Sequence, residues 1–328
     1  MAKQAILTTD LAEHPASRAW AAAGGNDIPT RIQILGRKKK SAVYRLGGAG
    51  PGGAGIIAKR SRLEDGLTER TIYAEILPSA GINALQSFGF TEELDTGFAW
   101  LFIEDAGGKE HAPHVNHRDL ISDWLGLMHA RTARVGAAAH LPDRSASHYR
   151  KHLESARRTI LQHLGNPLML PEDVSLLHSV VDQCDFLEAR WNQIESFCNE
   201  IPRTLVHGDF VAKNMCVRNS RNGSELLLFD WETAGWGVPA ADLAQLGLES
   251  MASVDLTVYR ATVRESWPQV CLGDVERLGA VGSLFRLLAM IGWESTELQY
   301  GSVQKCMGSM RVYQAAMAQV LRTEWRQL

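Results

Sequence analysis

The segment His207-Gly208-Asp209-Phe210-Val211-Ala212-Lys213-Asn214, followed after a short apolar run by Phe229-Asp230-Trp231-Glu232, concentrates oxygen ligands in loops on either side of a β-prone stretch. Hard oxygen donors of this kind suit Mg²⁺, which takes a few carboxylates together with phosphate oxygens and water. Phosphoryl transfer asks for little more. One carboxylate positions the attacking hydroxyl and accepts its proton, a second holds the metal ions that bridge the phosphates, and an amide completes the metal shell. Asp209, Asp230 and Asn214 fill those roles in that order. A lone Asp or Asn is commonly just a turn residue, but three in this spacing predict an ATP- and Mg²⁺-dependent phosphotransferase.

The order HxDxxxxN, then D-W-E, then Gly235-Trp236-Gly237-Val238-Pro239-Ala240-Ala241-Asp242-Leu243-Ala244 resembles the aminoglycoside phosphotransferase and choline kinase-like family. The resemblance implies an α+β, two-lobed protein kinase-like fold, with a small antiparallel sheet in the N-lobe and a mainly helical C-lobe. It also implies that Asp209 is the catalytic base, that Asn214 and Asp230 bind magnesium, and that His207 and Asp242 brace the catalytic loop. The amino-terminal half should then supply a lysine for the ATP phosphates. Lys59, at the end of the β-prone Ile56-Ile57-Ala58, is that residue, and Glu69, in a segment similar to the family's E-x-x-x-Y helix, is its expected partner, with Glu75 the competitor. The run Leu101 to Ala106 resembles the family's hinge, where the Glu104 carbonyl and the Ala106 amide would pair with adenine and side-chain identity should matter little.

Other residues carry weaker expectations. In Gly36 to Tyr44, Ser41 and backbone N–H groups are placed to hold phosphate oxygens, while the run Arg37 to Lys40 adds positive charge or is simply solvated. Lys213, beside the magnesium amide, is a candidate contact to the transferred group. Glu232 contacts a second metal, a cationic substrate or a structural donor. His129, in Leu125-Gly126-Leu127-Met128-His129, reads as a hydrogen-bonded structural histidine. Glu110, His111, His114 and His117 have a spacing that a metal can use, but Pro113 lies among them and a loop is the better reading.

The elements that position these groups follow from periodicity. A short helix is expected near residues 10 to 23, with Asp10 as its N-cap and Gly24-Gly25 as its stop. β-prone runs follow at Arg31 to Leu35, Ala42 to Leu46, Gly55 to Ala58 and Ala99 to Glu104, with a helix from Leu67 to Leu77 stopped by Pro78. The Gly47 to Gly55 segment lacks GK[ST] and leads into no helix, so it reads as a hairpin turn and not a Walker loop. Amphipathic helices are expected at Asp119 to Ala133, His148 to His163, Glu172 to Cys198, Asp274 to Gln299 and Val303 to Arg326. β-prone Thr204 to Val206 and Leu226 to Phe229 interrupt them as a hairpin. This divides the chain into an N-terminal helical extension (1–27), an N-lobe (28–106) and a helical C-lobe (107–328).

Composition bounds the function classes. The 328 residues, 45% hydrophobic and 22% charged with a formal net charge of −3, suffice for a large core and give no global reason to bind nucleic acid. Five cysteines without a CxxC pair argue against disulfides and fit a reducing, cytoplasmic location. Asp10, Glu13 and His14 stand where a secretion signal needs an apolar run. The longest apolar stretch, Leu278 to Trp293, is broken by Arg286 and falls short of the roughly 20 residues a bilayer requires, so no membrane partner is expected. The oligomeric state is left open.

The acceptor is expected to be a small-molecule hydroxyl. After Asp230 the chain passes through GWGVP almost directly to Asp242, without the long activation segment ending in A-P-E that a protein kinase carries. A pseudokinase typically lacks the lysine, the base or the metal aspartate, and all are present here. Trp231, Trp236, Glu249, Trp293, Glu294 and Glu297 favour an amino-bearing compound such as an aminoglycoside, through charge pairing and cation–π contact. Choline, amino alcohols and sugars are the alternatives on the same scaffold.

Overall fold

The computed structural model describes residues 5–107, 112–135, 140–220, 223–246, 254–300 and 303–323. In chain order the elements of the first part are β1 (Ile6–Leu7), α1 (Pro15–Ala22), β2 (Arg31–Arg37), β3 (Ala42–Gly47), β4 (Ile56–Arg62), α2 (Leu63–Thr71), a helical turn α3 (Leu77–Ser79), β5 (Ser87–Glu93) and β6 (Phe98–Glu104). Next come α4 (Arg118–Val135), β7 (Asp143–Arg144), α5 (Ala146–His163), α6 (Pro171–Glu188), α7 (Trp191–Glu200), β8 (Thr204–Val206), β9 (Met215–Ser220), β10 (Gly223–Leu228) and β11 (Gly235–Gly237). The chain closes with α8 (Leu256–Val263), α9 (Leu272–Tyr300) and α10 (Val303–Thr323). It forms two compact units, one of residues 1–114 with 212–234 and one of residues 115–211 with 235–328.

The first unit is built on an antiparallel sheet ordered β1-β2-β3-β4-β6-β5. Alternation along its strands creates two faces, since successive side chains point to opposite sides. Ile32, Tyr44, Leu46, Ile56, Ala58 and Phe102 join Ala16 and Trp20 of α1 in one core, with the Trp20 and Phe102 ring centroids 5.0 Å apart. α1 therefore covers a sheet face. Its N-cap is His14, whose Nδ1 accepts from the Ala16 amide, and not Asp10, which lies in the left-handed region at φ 52°. Lys59 and Ser61 point to the opposite face, the one α2 crosses. β5 was not expected from the sequence; its half-buried side chains on a sheet edge give only a faint alternation.

The helix anticipated at Leu67 to Leu77 begins earlier, at Leu63, directly after β4, and widens into a π turn over Ile72–Ile76, where Leu77 donates to the Ile72 carbonyl. The helical run ends just past Pro78, at Ser79. The segment Gly47 to Gly55 is the β3–β4 connection. β9 and β10 pair as an antiparallel hairpin and belong to the first unit.

The second unit is helical. α5 packs on α9 through Tyr149 and Phe285, stacked with centroids 4.0 Å apart. The single helix expected at Glu172 to Cys198 is two, α6 and α7, broken at Ala189-Arg190. Thr204–Val206 does not pair with Leu226–Phe229: β8 pairs with β11, which pairs in turn with β7. Gly237 permits this close approach, since a Cβ there would sit 2.1 Å from the Arg144 backbone. Among the described residues no helix is long and apolar enough to cross a membrane.

Candidate active site

In the first unit the site is assembled around one ammonium. Lys59 lies in β4, flanked by Val43 of β3 and Leu101 of β6, so its backbone is fixed from both sides. Its side chain is only 9% exposed. Nζ stands 3.0 Å from both carboxylate oxygens of Glu69, 2.5 Å from Asp230 Oδ1 and 3.5 Å from Glu232 Oε2. Glu75 is exposed and plays no part. Burial works against the Lys59 charge, but the three carboxylates outweigh it and hold the ammonium above its usual range. Burial pushes Glu69 up, to about 7, with Lys59 opposing the rise and Asp230 adding to it.

The helix that delivers Glu69 also fixes the segment around Asp230. Glu69 Oε1 accepts from the Trp231 amide at 2.9 Å. Tyr73, one turn further on, stands edge-on to Trp231 and donates to the Leu228 carbonyl at 3.4 Å. Residues four apart share a helix face, so Glu69-x-x-x-Tyr73 grips the chain on both sides of Asp230. Asp230 itself is left-handed, at φ 68° and ψ 60°, a conformation that costs a non-glycine residue on the order of 1 kcal/mol or more and persists only where neighbours enforce it. Asn214 is buried at the end of the 3-10 turn Ala212–Asn214, and its carbonyl accepts from the Phe229 amide at 3.0 Å. Lys213 beside it is exposed.

Asp230 and the half-exposed Glu232 share Lys59, and Asn214 meets Phe229 beside Asp230 through its backbone carbonyl; all three side chains carry hard oxygens of the type magnesium takes. Lys59 shares Asp230 Oδ1, so a cation would meet a carboxylate already paired with an ammonium. Ser41 closes the β2–β3 turn, where its carbonyl accepts from the Lys38 amide at 2.8 Å.

At the hinge the side chains are more engaged than the sequence suggested. Glu104 pairs with Arg218 of β9 at 2.5 Å and accepts from the Gln86 amide. Asp105 receives Arg45 of β3, 2.6 Å from Nε. The Ala106 carbonyl accepts from the buried Cys216 thiol at 3.0 Å. Side-chain identity at Glu104 therefore does matter to the packing, because β9 approaches the hinge through a charge pair.

In the second unit the loop after β8 is held by Asp242. One of its oxygens accepts from the His207 amide at 2.7 Å and the other from the Gly208 amide at 2.9 Å. Gly208, at φ 77°, makes the turn that lets both amides face one carboxylate. His129 is fully buried, with Nε2 3.3 Å from Asp242 and Nδ1 2.9 Å from the Tyr259 hydroxyl. Burial raises the Asp242 pKa, but the bond and charge of His129, with His207, bring the carboxyl below its ordinary value. Burial pushes the Tyr259 phenol well up. His207 Nδ1 accepts from the Asp209 amide at 3.2 Å.

Arg286 of α9, 4% exposed, donates from Nη2 to Asp209 Oδ1 at 2.6 Å and from Nη1 to the Gly208 carbonyl. Sequence reasoning missed it as a site residue. The signal was there: it is the one charge in the run Leu278 to Trp293 before its exposed end, and a buried cation requires a partner.

The residues expected to select the acceptor are scattered. Trp231 and Trp236 are buried in packing and offer no open ring face. Glu294 turns toward α10, where its carbonyl accepts from Cys306 Sγ. Trp293 is half-exposed beside His152, and Glu297 is exposed one turn on. Glu249, Glu110 and His111 lie outside the described residues, and no group of three or more His, Cys, Asp or Glu side chains placed to hold a metal ion occurs among the described ones.

The profile of the phosphotransferase enzyme family matches residues 35–268. No curated protein sequence matches the chain. Among solved structures it resembles a microcompartment-associated aminopropanol kinase at 12% identity, covering 94% of this chain and 97% of that one with a TM-score of 0.62. A thermostable aminoglycoside phosphotransferase APH(4)-Ia bound to ADP and hygromycin B matches at 15% identity, 94% and 98% coverage and a TM-score of 0.60. An ethanolamine kinase of Plasmodium vivax follows at 14%, 88% and 82%, with a TM-score of 0.56. At these identities the likeness establishes the kinase-like fold.

Proposed function

Because the chain belongs to the phosphotransferase enzyme family, we propose that it transfers the γ-phosphoryl group of ATP, with Mg²⁺, to a hydroxyl group of a small molecule. The observation that carries the reading is the buried Lys59–Glu69 pair, extended to Asp230 and to the Trp231 amide. A lysine and a metal-binding carboxylate fixed by one glutamate is the arrangement that phosphate binding in kinases requires.

The roles follow from the groups. Lys59 binds α- and β-phosphate oxygens, and Glu69 directs it. Asp230 and Asn214 would hold Mg²⁺, which when bound would offset the negative charge of the triphosphate. Glu232 adds a carboxylate to that set, Ser41 and the β2–β3 turn amides cover the phosphates, and the backbone of Glu104 and Ala106 pairs with adenine. Asp209 accepts a hydrogen bond from the acceptor hydroxyl, orienting its oxygen for in-line attack on the γ-phosphorus. The new O–P bond forms as the bond to the β,γ-bridging oxygen breaks. ADP leaves with that electron pair, and the hydroxyl proton passes to the Asp209 carboxylate and then to solvent. His207 and Asp242 hold the loop, and Lys213 adds positive charge near the transferred group.

For the acceptor, the half-exposed Trp293 with Glu297 one turn on supports an amino-bearing compound, since a ring face and a carboxylate together suit an ammonium group. Proteins bearing the names aminopropanol kinase, ethanolamine kinase and aminoglycoside phosphotransferase share the fold.

The test is ADP release from Mg-ATP in the presence of hygromycin B, other aminoglycosides, choline, ethanolamine, 1-amino-2-propanol and simple sugars, with Asp209→Ala as control. Stimulation by one class that vanishes in the variant is the expected result. ATP binding without turnover on any compound or on water would overturn it.

A further inference from the structure

The reading above gives Arg286 no part, yet its placement is costly. From Val275 to Ile291 nearly every residue of α9 is buried, so the guanidinium is held out of water in the middle of an apolar helix. A cation in such a place is retained only against partners that repay its desolvation. Both partners of Arg286 are consecutive residues of the loop after β8: the Gly208 carbonyl and the Asp209 carboxylate.

The approach is built into α9 one turn earlier. A Cβ at Gly282 would lie 1.8 Å from the Ala240 carbonyl oxygen, so α9 lies directly on the turn Pro239–Leu243 that carries Asp242. Arg286, four residues on, shares that face. Gly208 is consequently gripped at both ends, its N–H by Asp242 Oδ1 at 2.9 Å and its carbonyl by Arg286. The same guanidinium fixes Oδ1 of Asp209, and with it the rotation of the carboxylate about its side-chain bonds.

We propose that Arg286 is a positioning residue for phosphoryl transfer, its two guanidinium arms locking the Gly208 carbonyl and Asp209 Oδ1 so that the carboxylate meets the acceptor hydroxyl in one orientation. The proposal rests on the reading of Asp209 as the base. It requires the planar fork of arginine: a lysine ammonium is a point donor and does not span two acceptors in fixed geometry. Misplacing a catalytic group by about 1 Å can cost about 10²-fold in rate, so the effect belongs in turnover and not in nucleotide affinity.

The experiment compares the full chain with Arg286→Lys, Arg286→Met, Asp209→Ala and the Arg286→Met/Asp209→Ala double variant. Turnover is read as ADP release from Mg-ATP with water alone and with hygromycin B, choline, ethanolamine and 1-amino-2-propanol. ATP affinity and melting temperature are measured on the same samples. The expected result is a kcat lower by about 10²-fold in Arg286→Lys and Arg286→Met, an ATP Kd within about twofold of the parent, and a double variant no slower than Asp209→Ala. Arg286→Lys keeps the buried charge paired and carries the test if Arg286→Met does not fold. Parental kcat in Arg286→Lys, or losses that multiply in the double variant, overturn the proposal. A parent that binds ATP and turns over with no probe sinks the functional reading and the proposal with it, and that failure lies in the parent, not in the variants.

Discussion

Asp230 and Asp209 are both carboxylates assigned to one reaction, but their surroundings differ in charge. Around Asp230 three carboxylates share the single ammonium of Lys59, a formal +1 against −3, or −2 in all. Asp209 meets a guanidinium in a balanced +1 and −1 pair. Burial is the main reason the Glu69 carboxyl is pushed up to about 7, Lys59 opposes the rise, and the neighbouring Asp230 adds to it. The first cluster carries an excess of negative charge, which a bound Mg²⁺ would offset under the proposed function. The second is already neutral and instead supplies direction. One carboxylate is thus held for what binds to it, the other for where it points.

The largest effects should come from removing the charge centre of each cluster. Lys59→Met leaves Glu69 buried without its cation, and losing one partner of a buried pair costs roughly 3–5 kcal/mol. The variant should melt well below the parent in the absence of ligand and recover part of the loss when MgCl₂ is added. A melting temperature unchanged by either step would show that the excess of negative charge is not a cation site. Asp230→Asn keeps the shape of the loop but reduces the formal charge to −1. It should lower turnover by roughly 10²-fold or more, because electrostatic stabilisation is usually the largest single contribution to such reactions. The Mg²⁺ dependence of its ATP binding should shift to higher concentration, whereas Asp209→Ala should leave that dependence alone. Equal shifts in the two variants would erase the distinction between the clusters.

A middle-sized effect tests the support of the second cluster. Gly282→Ala forces a Cβ to within 1.8 Å of the Ala240 carbonyl oxygen, so α9 must move off the Asp242 turn. Overpacking of this kind costs typically about 1–3 kcal/mol. Turnover per folded molecule should fall as well, because Arg286 travels with the helix, while ATP affinity stays. Loss of stability with parental turnover would separate the packing of α9 from the orientation of Asp209.

How far the sequence reached differs between the two clusters in a physically telling way. Asp209, Asn214 and Asp230 stood out as candidates because their residue types and spacing suit few chemistries, and Glu69, one turn before Tyr73, was legible as the partner that Lys59 meets. Long helices such as α5 and α10 declared themselves through periodicity. Arg286 was visible as an interruption of an apolar run, but its partners lie 77 and 78 positions away in the chain, and no local pattern names them. The same reason hid the pairing of β8 with β11: three-residue strands carry too little alternation to announce a partner. β5 and α8 escaped for want of a continuous apolar stripe. Of the residues expected to select the acceptor, Trp231 and Trp236 turned out to be buried while Trp293 is half-exposed, because composition does not tell a core tryptophan from an open one.

The smallest effect concerns a charge pair outside both clusters and so calibrates them. Glu93 accepts from Arg60 at 2.7 and 2.6 Å, from Trp100 Nε1 at 2.6 Å and from Thr96 Oγ1 at 3.0 Å. The Arg60 hydrogen bonds are the main cause that lowers its pKa to about 2, against a burial effect that raises it. A carboxyl with a depressed folded-state pKa adds stability above its unfolded value, about 4.5, and loses it as the pH falls through the folded value. The melting temperature of the parent should therefore drop between pH 4.5 and pH 2 by more than that of Glu93→Gln, which has no proton to gain there. Glu93 is partly exposed, so salt should shrink the difference. Since Glu93 touches neither Lys59 nor Arg286, its replacement should leave turnover at pH 7 unchanged. If Glu93→Gln slowed turnover as much as Asp230→Asn, the sheet edge would be coupled to the site, and the account of two separately braced carboxylates would fail.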